Sequence, residues 1–454
     1  MSPQLRRGLL LLLACLPALG CAPEKPLRGP WNLLLLSIDT LRADHLGAYG
    51  YGPPTSPFID ALAAEGIVFE RASAQAPSTL LSHAAMLTSQ IPQHHRASHV
   101  RYLPLAEDAV TLAEVLAARG YETVSWNGGG QLDRAFGLAQ GFAIYEKGPD
   151  PFEWAVERSQ AWLEARRTRG EQRPFFLFLH TYEAHHPYTP RAQDLELFEK
   201  GYQGYLPPMV SVQLLDDINQ KRSSMSAEDL EHIIATYDAE IRSVDRGFGR
   251  VLETLKQLDL LDETLIVVTS DHGEEFGEHG QVGWHSHTLY EELLRVPLIF
   301  RLPGERFAGQ RPSGRVRSID IAPTLLDLAG VAAPPSFEGR SLAPYFEKGA
   351  TPPEEEPAIA FRDNAQGDAF ESLTIRRHKL NEGRLYDLEA DPWEKRDQAA
   401  ADSQTFESLR QQLARLVAAK PGVAPAAPVK LGEEELERLR SLGYAGEPAG
   451  KKEP

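Results

Sequence analysis

The sequence predicts an α/β fold with a central, mostly parallel sheet flanked by helices, followed by a small C-terminal α+β subdomain. Continuous apolar runs such as "WNLLLLSID", "PFFLFLHTY" and "ETLIVVTSD" are typical of strands buried on both faces of a parallel sheet. These runs alternate with segments of helical spacing, the longest from about Glu228 to Leu258. Such alternation of strands and helices predicts a layered α/β domain.

Shorter segments extend this pattern along the chain. "SPFIDALAAEGIVF" predicts a helix with Ser56 as its N-cap and Pro57 at its first position. "TLAEVLAARGYETVSWN" predicts a helix that stops at Gly120 and a strand after it, and "RVPLIFRLPG" predicts another strand. "IAPTLLDLAG" predicts a short helix ending at Gly330.

The domain bounds follow from shifts in composition. Beyond Gly349 the linker "ATPPEEEP" leads to short strand-like pieces, and "AAKPGVAPAAPVK" is a flexible Ala/Pro-rich connection before "GEEELERLRSLGYAG". The sequence therefore predicts five segments: a lipoprotein signal peptide (1–20), a tether (21–30), a main domain (31–347), a C-terminal subdomain (348–398), and a tail with a linker and a terminal helix (399–454).

The net charge of the chain restricts the classes of molecule that it can bind. The formal net charge of −17 over 454 residues argues against nucleic acid, because phosphate-backbone binding needs a basic face. It does not exclude an anionic substrate, since a bound metal ion reverses the local field.

The N-terminus predicts export. Arg6 and Arg7 precede an apolar run too short to span a bilayer, and its end, "LPALGC", resembles a bacterial lipobox in which Cys21 is lipidated. The alternative is an ordinary secretory signal with an incidental cysteine. Both cysteines, Cys15 and Cys21, lie in this segment, so the mature domain has no cysteine nucleophile. We expect a lipid-anchored protein of the cell envelope, in the periplasm or at the cell surface.

Two predicted strands end in acids, at Asp39 and at Asp271, with His272 next. Ligands bind at the carboxyl ends of strands in α/β sheets, and Asp and His are competent ligands of divalent ions. The alternative is that these carboxylates cap helices or form turns.

Six ordered segments carry a family resemblance: "DTLRADHLGAYGY", "YDAEIRSVDRGFGRVLETLKQLDLLDETLIVVTSDHGEEFGEHG", "LYEELLRVPLIF", "DIAPTLLDLAGV", "FEGRSLAPYF" and "LYDLEADPWEK". In this order they resemble the sulfatase family of the alkaline-phosphatase superfamily, over roughly Trp31 to Arg396. The resemblance implies that family's fold and a metal-assisted attack on a sulfuryl or phosphoryl ester.

The nucleophile position departs from the family. Sulfatases carry C/S-x-P-S-R and oxidise the Cys or Ser to formylglycine. The register set by Leu-Thr-Ser before Pro92 puts Thr79 at that position, with Leu81 and His83 where the family has Pro and Arg. Formylglycine is therefore not expected here.

A metal-bound threonine is a usable nucleophile, because the cation lowers the pKa of its hydroxyl. Phosphate-transferring relatives in the superfamily use such a threonine, and Asp39, Thr79, Asp271 and His272 resemble their single-metal ligand set. The second Asp of sulfatases is here Thr40. We expect one divalent ion (Ca, Mg, Mn or Zn). The alternative is that Thr79 only caps a helix beginning at Leu80.

Histidines supply the other candidate catalytic residues. "LHTYEAHHPY" resembles the family's H-x-x-D-P-H-x-P-Y, which makes His185 a donor to substrate oxygens and leaves His186 exposed. In "HGQVGWHSHTLYEE", where sulfatases carry a lysine, we expect His287 as general acid. His83 is a candidate donor to the nucleophile or to the ester oxygens. An alternative two-metal site combines His185, Glu183 and a histidine at 285–287.

The function predicted is a metal-dependent hydrolase, or transferase, of sulfate or phosphate esters with Thr79 as nucleophile. Loss of the formylglycine motif and of two lysine positions favours phosphate esters. The alternative is a catalytically inactive sulfatase-fold binding protein of the cell envelope. The expected partners are an anionic ester substrate and, through the lipid anchor, a membrane; no particular oligomeric state is indicated.

Overall fold

The computed structural model describes residues 27–149, 151–199, 201–304, 307–346, 354–364, 366 and 368–444. The predicted signal peptide, both cysteines and most of the tether lie outside the described residues. The helices of the described residues are α1 Pro57–Ala64, α2 Thr79–Thr88, α3 Pro92–His95, α4 Leu112–Ala117, α5 Glu153–Thr168, α6 Ala192–Leu195, α7 Val212–Asn219, α8 Ala227–Gln257, α9 Glu291–Leu294, α10 Ile321–Leu328, α11 Ser403–Ala418 and α12 Glu433–Ser441. None of these helices combines the length and the apolar character needed to cross a bilayer.

The strands form four sheets. Their bounds are β1 Asn32–Ile38, β2 Ile67–Val68, β3 Arg71–Ser73, β4 Glu122–Asn127, β5 Ile144–Lys147, β6 Phe175–Thr181, β7 Thr264–Thr269, β8 Glu275–Phe276, β9 Val282–Trp284, β10 Arg295–Val296, β11 Leu298–Arg301, β12 Arg315–Arg317, β13 Ala358–Asp363, β14 Ala369–Ile375, β15 His378–Asn381 and β16 Arg384–Asp387. The main sheet has the order β2-β11-β7-β1-β6-β4-β5, and the C-terminal sheet has the order β13-β14-β15-β16.

The predicted α/β class is confirmed. Strands β7, β1, β6, β4 and β5 are parallel, and β11 joins the edge of β7 in antiparallel direction. Strand β1 shows why its sequence is continuously apolar: Leu33 and Leu35 pack into the core on one face of the sheet, and Leu34 and Leu36 into the core on the other. Helices therefore cover both faces, as buried parallel sheets require.

Two local predictions need correction. Ser56 precedes α1, but its hydroxyl donates to Asp60 and makes no cap; the carboxylate of Asp245 on α8 accepts from the amides of Phe58 and Ile59 instead. A tertiary contact therefore caps this helix. In the tail, the predicted terminal helix is α12, but the 16-residue helix α11 was not predicted.

His95 makes acid stability a test of the fold. This buried side chain at the end of α3 donates from Nε2 to the carbonyl of Leu81 at 3.1 Å and accepts at Nδ1 from the amide of Ala97 at 3.1 Å. Burial lowers the pKa of His95 to about 3, so the neutral ring fits this pair of bonds.

The pKa of His95 is lower in the folded than in the unfolded protein. Its contribution to the free energy of unfolding is therefore fully present above about pH 6.5 and falls by roughly 1.4 kcal/mol per pH unit as the pH decreases towards 3. Urea unfolding across this pH range is expected to show a shallower pH dependence for His95→Gln than for the unchanged protein. Equal slopes would contradict a neutral, buried His95.

Candidate functional site

The predicted metal ligands meet at the carboxyl ends of two adjacent strands. Asp39 follows β1, and Asp271 and His272 follow β7; the strands are parallel and pair Ser37 with Thr269. His272 Nε2 lies 3.9 Å from Asp39 Oδ1 and 3.4 Å from Asp271 Oδ2. The two strand ends thus bring two carboxylates and an imidazole to one point.

The atoms that face one another there have no hydrogen-bond partner among the described residues: Asp39 Oδ1, Asp271 Oδ2 and His272 Nε2. All three side chains are fully buried. Unpaired buried polar atoms are costly, and native proteins rarely keep them. Burial and the neighbouring carboxylate of Asp271 raise the pKa of Asp39 well above its usual range.

A divalent cation fits these residues. His272 Nδ1 donates to the carbonyl of Gly273 at 3.0 Å, which leaves the Nε2 lone pair free to bind a metal. Asp39, Asp271 and His272 lie close enough together to hold one ion. Carboxylate and imidazole ligands suit Zn²⁺ and Mn²⁺, and carboxylates suit Mg²⁺ and Ca²⁺.

Thr79 lies at the first position of α2, next to this group. Its Oγ1 donates to Asp39 Oδ2 at 3.1 Å, and its side chain is fully buried. The helix begins at Thr79 with Ser78 at the N-cap position; Ser78 makes no cap, and Gln131 Oε1 accepts from the amide of Leu80 at 2.8 Å instead. The alternative that Thr79 caps a helix starting at Leu80 is therefore wrong.

His83 lies one turn further along α2, under Thr79. Its Nδ1 donates to the carbonyl of Thr79 at 2.8 Å, and its Nε2 lies 2.9 Å from Ser37 Oγ. Burial lowers the pKa of His83, so the ring is neutral. The contact of His83 is with the backbone carbonyl of Thr79 and not with its hydroxyl, and Nδ1 also lies 3.6 Å from Asp271 Oδ2.

His180 is a site residue that the sequence did not single out. It lies in β6 opposite Ser37 of β1, and its Nε2 donates to Asp39 Oδ2 at 3.2 Å. Burial lowers the pKa of His180 well below its usual range. Its position in a strand adjacent to that of Asp39 was the available signal.

Three further histidines group together: His185, His186 and His285, the last with its ring centroid 4.6 Å from that of His272. Their ring centroids are 4.2 to 5.3 Å apart. His186 was expected to be exposed, and this is wrong: it is buried and stacks on Trp284 with 5.0 Å between ring centroids. Burial, reinforced by the adjacent histidines, lowers the pKa of His185 and of His285 well below the usual range.

His287, the predicted general acid, pairs with a carboxylate. Its Nε2 contacts Glu275 Oε2 at 2.8 Å, and its side chain is 27% exposed. Between the two histidines Ser286 has a positive φ of 68°, which turns the chain so that His285 faces the site. His285 Nδ1 contacts Glu274 Oε1 at 3.0 Å. Glu183, considered for a second metal site, accepts from the Phe152 amide.

The last described residue, Tyr444, lies against Thr79 and two of the histidines. Its hydroxyl lies 2.9 Å from Thr79 Oγ1, 2.8 Å from His185 Nε2 and 3.2 Å from His285 Nε2. No sequence pattern indicated this contact, which joins residues 365 positions apart.

Comparisons of the sequence with known proteins point to one family. The Sulfatase family model matches residues 31–331. N-acetylglucosamine-6-O-sulfatase of Bacteroides thetaiotaomicron is 25% identical over 85% of this chain and 86% of its own length. Arylsulfatase of Clostridium perfringens is 26% identical over 80% of this chain and 89% of its own length.

Solved structures show the same fold. Phosphonate monoester hydrolase of Agrobacterium radiobacter has a TM-score of 0.69 at 23% identity, covering 86% of this chain and 96% of its own. A protein solved with its substrate D-glucosamine-2-N,6-O-disulfate has a TM-score of 0.70 at 21% identity, covering 86% of this chain and 99% of its own.

Proposed function

Because the chain belongs to the sulfatase family, we propose that it hydrolyses sulfuric esters with Thr79 as nucleophile in place of formylglycine and with one divalent cation. Asp39, Thr79, Asp271 and His272 would hold the cation. The observation that carries this proposal is that three buried, unpartnered ligand atoms converge beside the hydroxyl of Thr79. When bound, the cation supplies positive charge that makes a hydroxyl more acidic and offsets the charge of ester oxygens.

The residues around Thr79 support a nucleophilic displacement. Asp39 Oδ2 accepts the Thr79 hydrogen bond, so it is the atom placed to receive the proton when Oγ1 attacks sulfur. As the Oγ1–S bond forms, the bond from sulfur to the alcohol oxygen breaks, and that oxygen takes up a proton. Water then cleaves the sulfated threonine and returns Thr79 to its starting state.

His285 is the proposed donor of the proton to the leaving oxygen. Glu274 holds its Nδ1, so Nε2 points to the space in front of Thr79. The pKa of the buried ring is low, and an anionic ester bound beside it raises that pKa because it stabilises the imidazolium. His185, whose Nδ1 donates to the carbonyl of His186, presents its Nε2 to the same space.

Substitution of the two candidate acids is expected to separate their roles. His285→Asn should lower kcat by about 10²-fold or more for esters of poor leaving groups and much less for 4-nitrophenyl esters, since a good leaving group needs no proton. His287→Asn, the matched control, should change kcat little because Glu275 holds that ring away from the site. The measurement is kcat against leaving-group pKa for both variants; the reverse order of effects would restore His287 as the acid.

A second candidate substrate class is phosphate esters. Thr40 replaces an acid that sulfatases have, and its hydroxyl donates to the carbonyl of Ala184 at 2.7 Å, so it adds no charged ligand. Ser286, at the expected lysine position, donates to the carbonyl of Pro77. The ligand set thus resembles that of threonine-dependent phosphate-transferring enzymes.

One set of assays tests both candidates. The full chain, stripped of metal and reloaded with Mg²⁺, Ca²⁺, Mn²⁺ or Zn²⁺ in turn, is assayed on 4-nitrophenyl sulfate, 4-nitrophenyl phosphate and bis-4-nitrophenyl phosphate. We expect turnover of the sulfate ester; turnover of phosphate esters alone would favour the second candidate. Retention of no cation, together with no turnover and no effect of Asp271→Ala, would favour the inactive binding protein.

We also propose that the protein is exported and anchored in the cell envelope by a lipid on Cys21. The charged start, the short apolar run and the lipobox-like end support this. Cys21→Ala is expected to move the protein from the membrane fraction to the soluble fraction, and an unchanged distribution would contradict the anchor.

A further inference from the structure

The proposed nucleophile is sealed from solvent in this structure. Thr79 and Asp39 are fully buried, and His185 and His285 are only 2% and 4% exposed. The phenol oxygen of Tyr444 lies within hydrogen-bond distance of Thr79, His185 and His285. It belongs to residues 432–444, which we call the C-terminal strap: helix α12 and the turn that follows it.

The phenol oxygen holds the space that a substrate needs. A productive complex places the sulfur or phosphorus atom about 3 to 3.5 Å from the attacking oxygen, and Tyr444 Oη lies 2.9 Å from Thr79 Oγ1. An ester group and this phenol cannot occupy that space together. Substrate therefore binds only when Tyr444 has left.

Tyr444 faces more hydrogen-bond acceptors than its single hydroxyl proton can serve. His185 donates from Nδ1 to the carbonyl of His186, and His285 from Nδ1 to Glu274, so both Nε2 atoms are acceptors. A phenol has one proton, which serves only one of them. Tyr444 thus fills the site but leaves one of the two histidine acceptors without a hydrogen bond, as expected of a group that substrate displaces.

The strap is held by contacts that can open without unfolding the sheet. Leu439 and Leu442 are buried, and Arg438 donates to the carbonyl of Gly128 at 3.1 Å. Lys147 forms a partly exposed ion pair with Glu435 at 3.0 Å, and such pairs are weak and screened by salt. Residues 419–431, which connect the strap to α11, contain neither helix nor strand and are tied to the domain by hydrogen bonds from the amides of Val423 and Val429 to the carbonyls of His94 and Tyr102.

We infer that the C-terminal strap is an autoinhibitory element whose Tyr444 competes with the ester for the space in front of Thr79. The inference rests on the proposed site. A closed strap lowers the fraction of molecules able to bind substrate. The apparent affinity is the intrinsic affinity multiplied by that fraction, while the chemical step in open molecules is unchanged. The strap is thus predicted to raise KM and to leave kcat unaltered.

Four variants test this on the best ester found: deletion of residues 432–454, Tyr444→Ala, Tyr444→Phe, and the control Glu437→Ala on the exposed side of α12. We expect the deletion and Tyr444→Ala to lower KM at least about tenfold with kcat unchanged, and Glu437→Ala to match the parent. A fall in kcat in Tyr444→Phe, with the deletion equally slow, would make Tyr444 a catalytic residue and overturn the inference. Equal KM values in all variants would also overturn it while leaving the proposed function intact.

A measurement without turnover separates the two proposals. Hydrogen–deuterium exchange of residues 432–444 in the metal-loaded full chain is followed as inorganic sulfate or phosphate is added. Faster exchange in the strap, with α11 unchanged, supports displacement by an anion even if no ester is hydrolysed. Unchanged exchange at anion concentrations that inhibit or bind would contradict it.

Discussion

Replacing Thr79 by valine is expected to lower kcat by about 10³-fold or more, because it removes the attacking oxygen and keeps the shape of the side chain. Thr79→Ser, which keeps the hydroxyl, should retain far more activity. The measurement is kcat on the sulfate or phosphate ester that the parent turns over, with trapping of a covalently modified Thr79 by rapid quench and mass spectrometry.

Folding has to be checked in the same variants. The valine leaves Asp39 and Tyr444 without their Thr79 partner, which costs about 1 to 3 kcal/mol of unfolding free energy. A thermal unfolding curve that remains cooperative excludes unfolding as the cause of lost activity. If Thr79→Val kept its kcat within tenfold, a water molecule would be the nucleophile and the role assigned to Thr79 would be wrong.

Replacing the candidate metal ligand Asp271 by asparagine is expected to maintain or raise the stability of the metal-free protein and to lower the stability of the metal-loaded protein. In metal-free protein, Asp271→Asn should be as stable as the parent or more stable, because it relieves repulsion between two buried carboxylates; Asp271 contributes to the raised pKa of Asp39. With a cation at a hundred times its dissociation constant, the parent should gain about 2.7 kcal/mol and the variant nearly nothing.

Urea unfolding with EDTA and with each divalent cation measures this difference. Asp245→Asn is the matched control, since Asp245 is equally buried but caps α1 away from the site. Burial raises the pKa of Asp245 to about 7, and asparagine keeps an oxygen that can accept from the α1 amides, so this variant should change stability equally with and without the cation and keep the full gain. An equal gain in Asp271→Asn would show that the cation binds elsewhere.

The core of the fold was predictable because burial on both faces leaves a continuous apolar signature. β1, β6 and β7 were identified in this way, and α8 by its long helical spacing. α11 was missed because it lies in a polar tail, and only Leu409 and Leu413 of this helix are buried. The cap of α1 was mispredicted because its carboxylate comes from a helix 187 residues away.

The part of the site that was predictable from the sequence consists of side chains that directly follow the strands of the sheet. Asp39 and Asp271 follow adjacent parallel strands, so their proximity is a consequence of sheet topology. The choice between His285 and His287 depends on the backbone turn at Ser286, which has no sequence signature. Tyr444 reaches Thr79 across the molecule through a contact that local patterns do not encode.

The candidate metal ligands beside Thr79 follow β1 and β7, and His180 lies in β6; these are the three central strands of the main sheet. Amides of such strands exchange with solvent mainly when the whole domain opens, because no smaller opening exposes them. Heat inactivation should therefore coincide with the loss of the entire sheet and not precede it. The arrangement of the candidate metal ligands beside Thr79 would thus persist until the domain unfolds, and would be lost together with it.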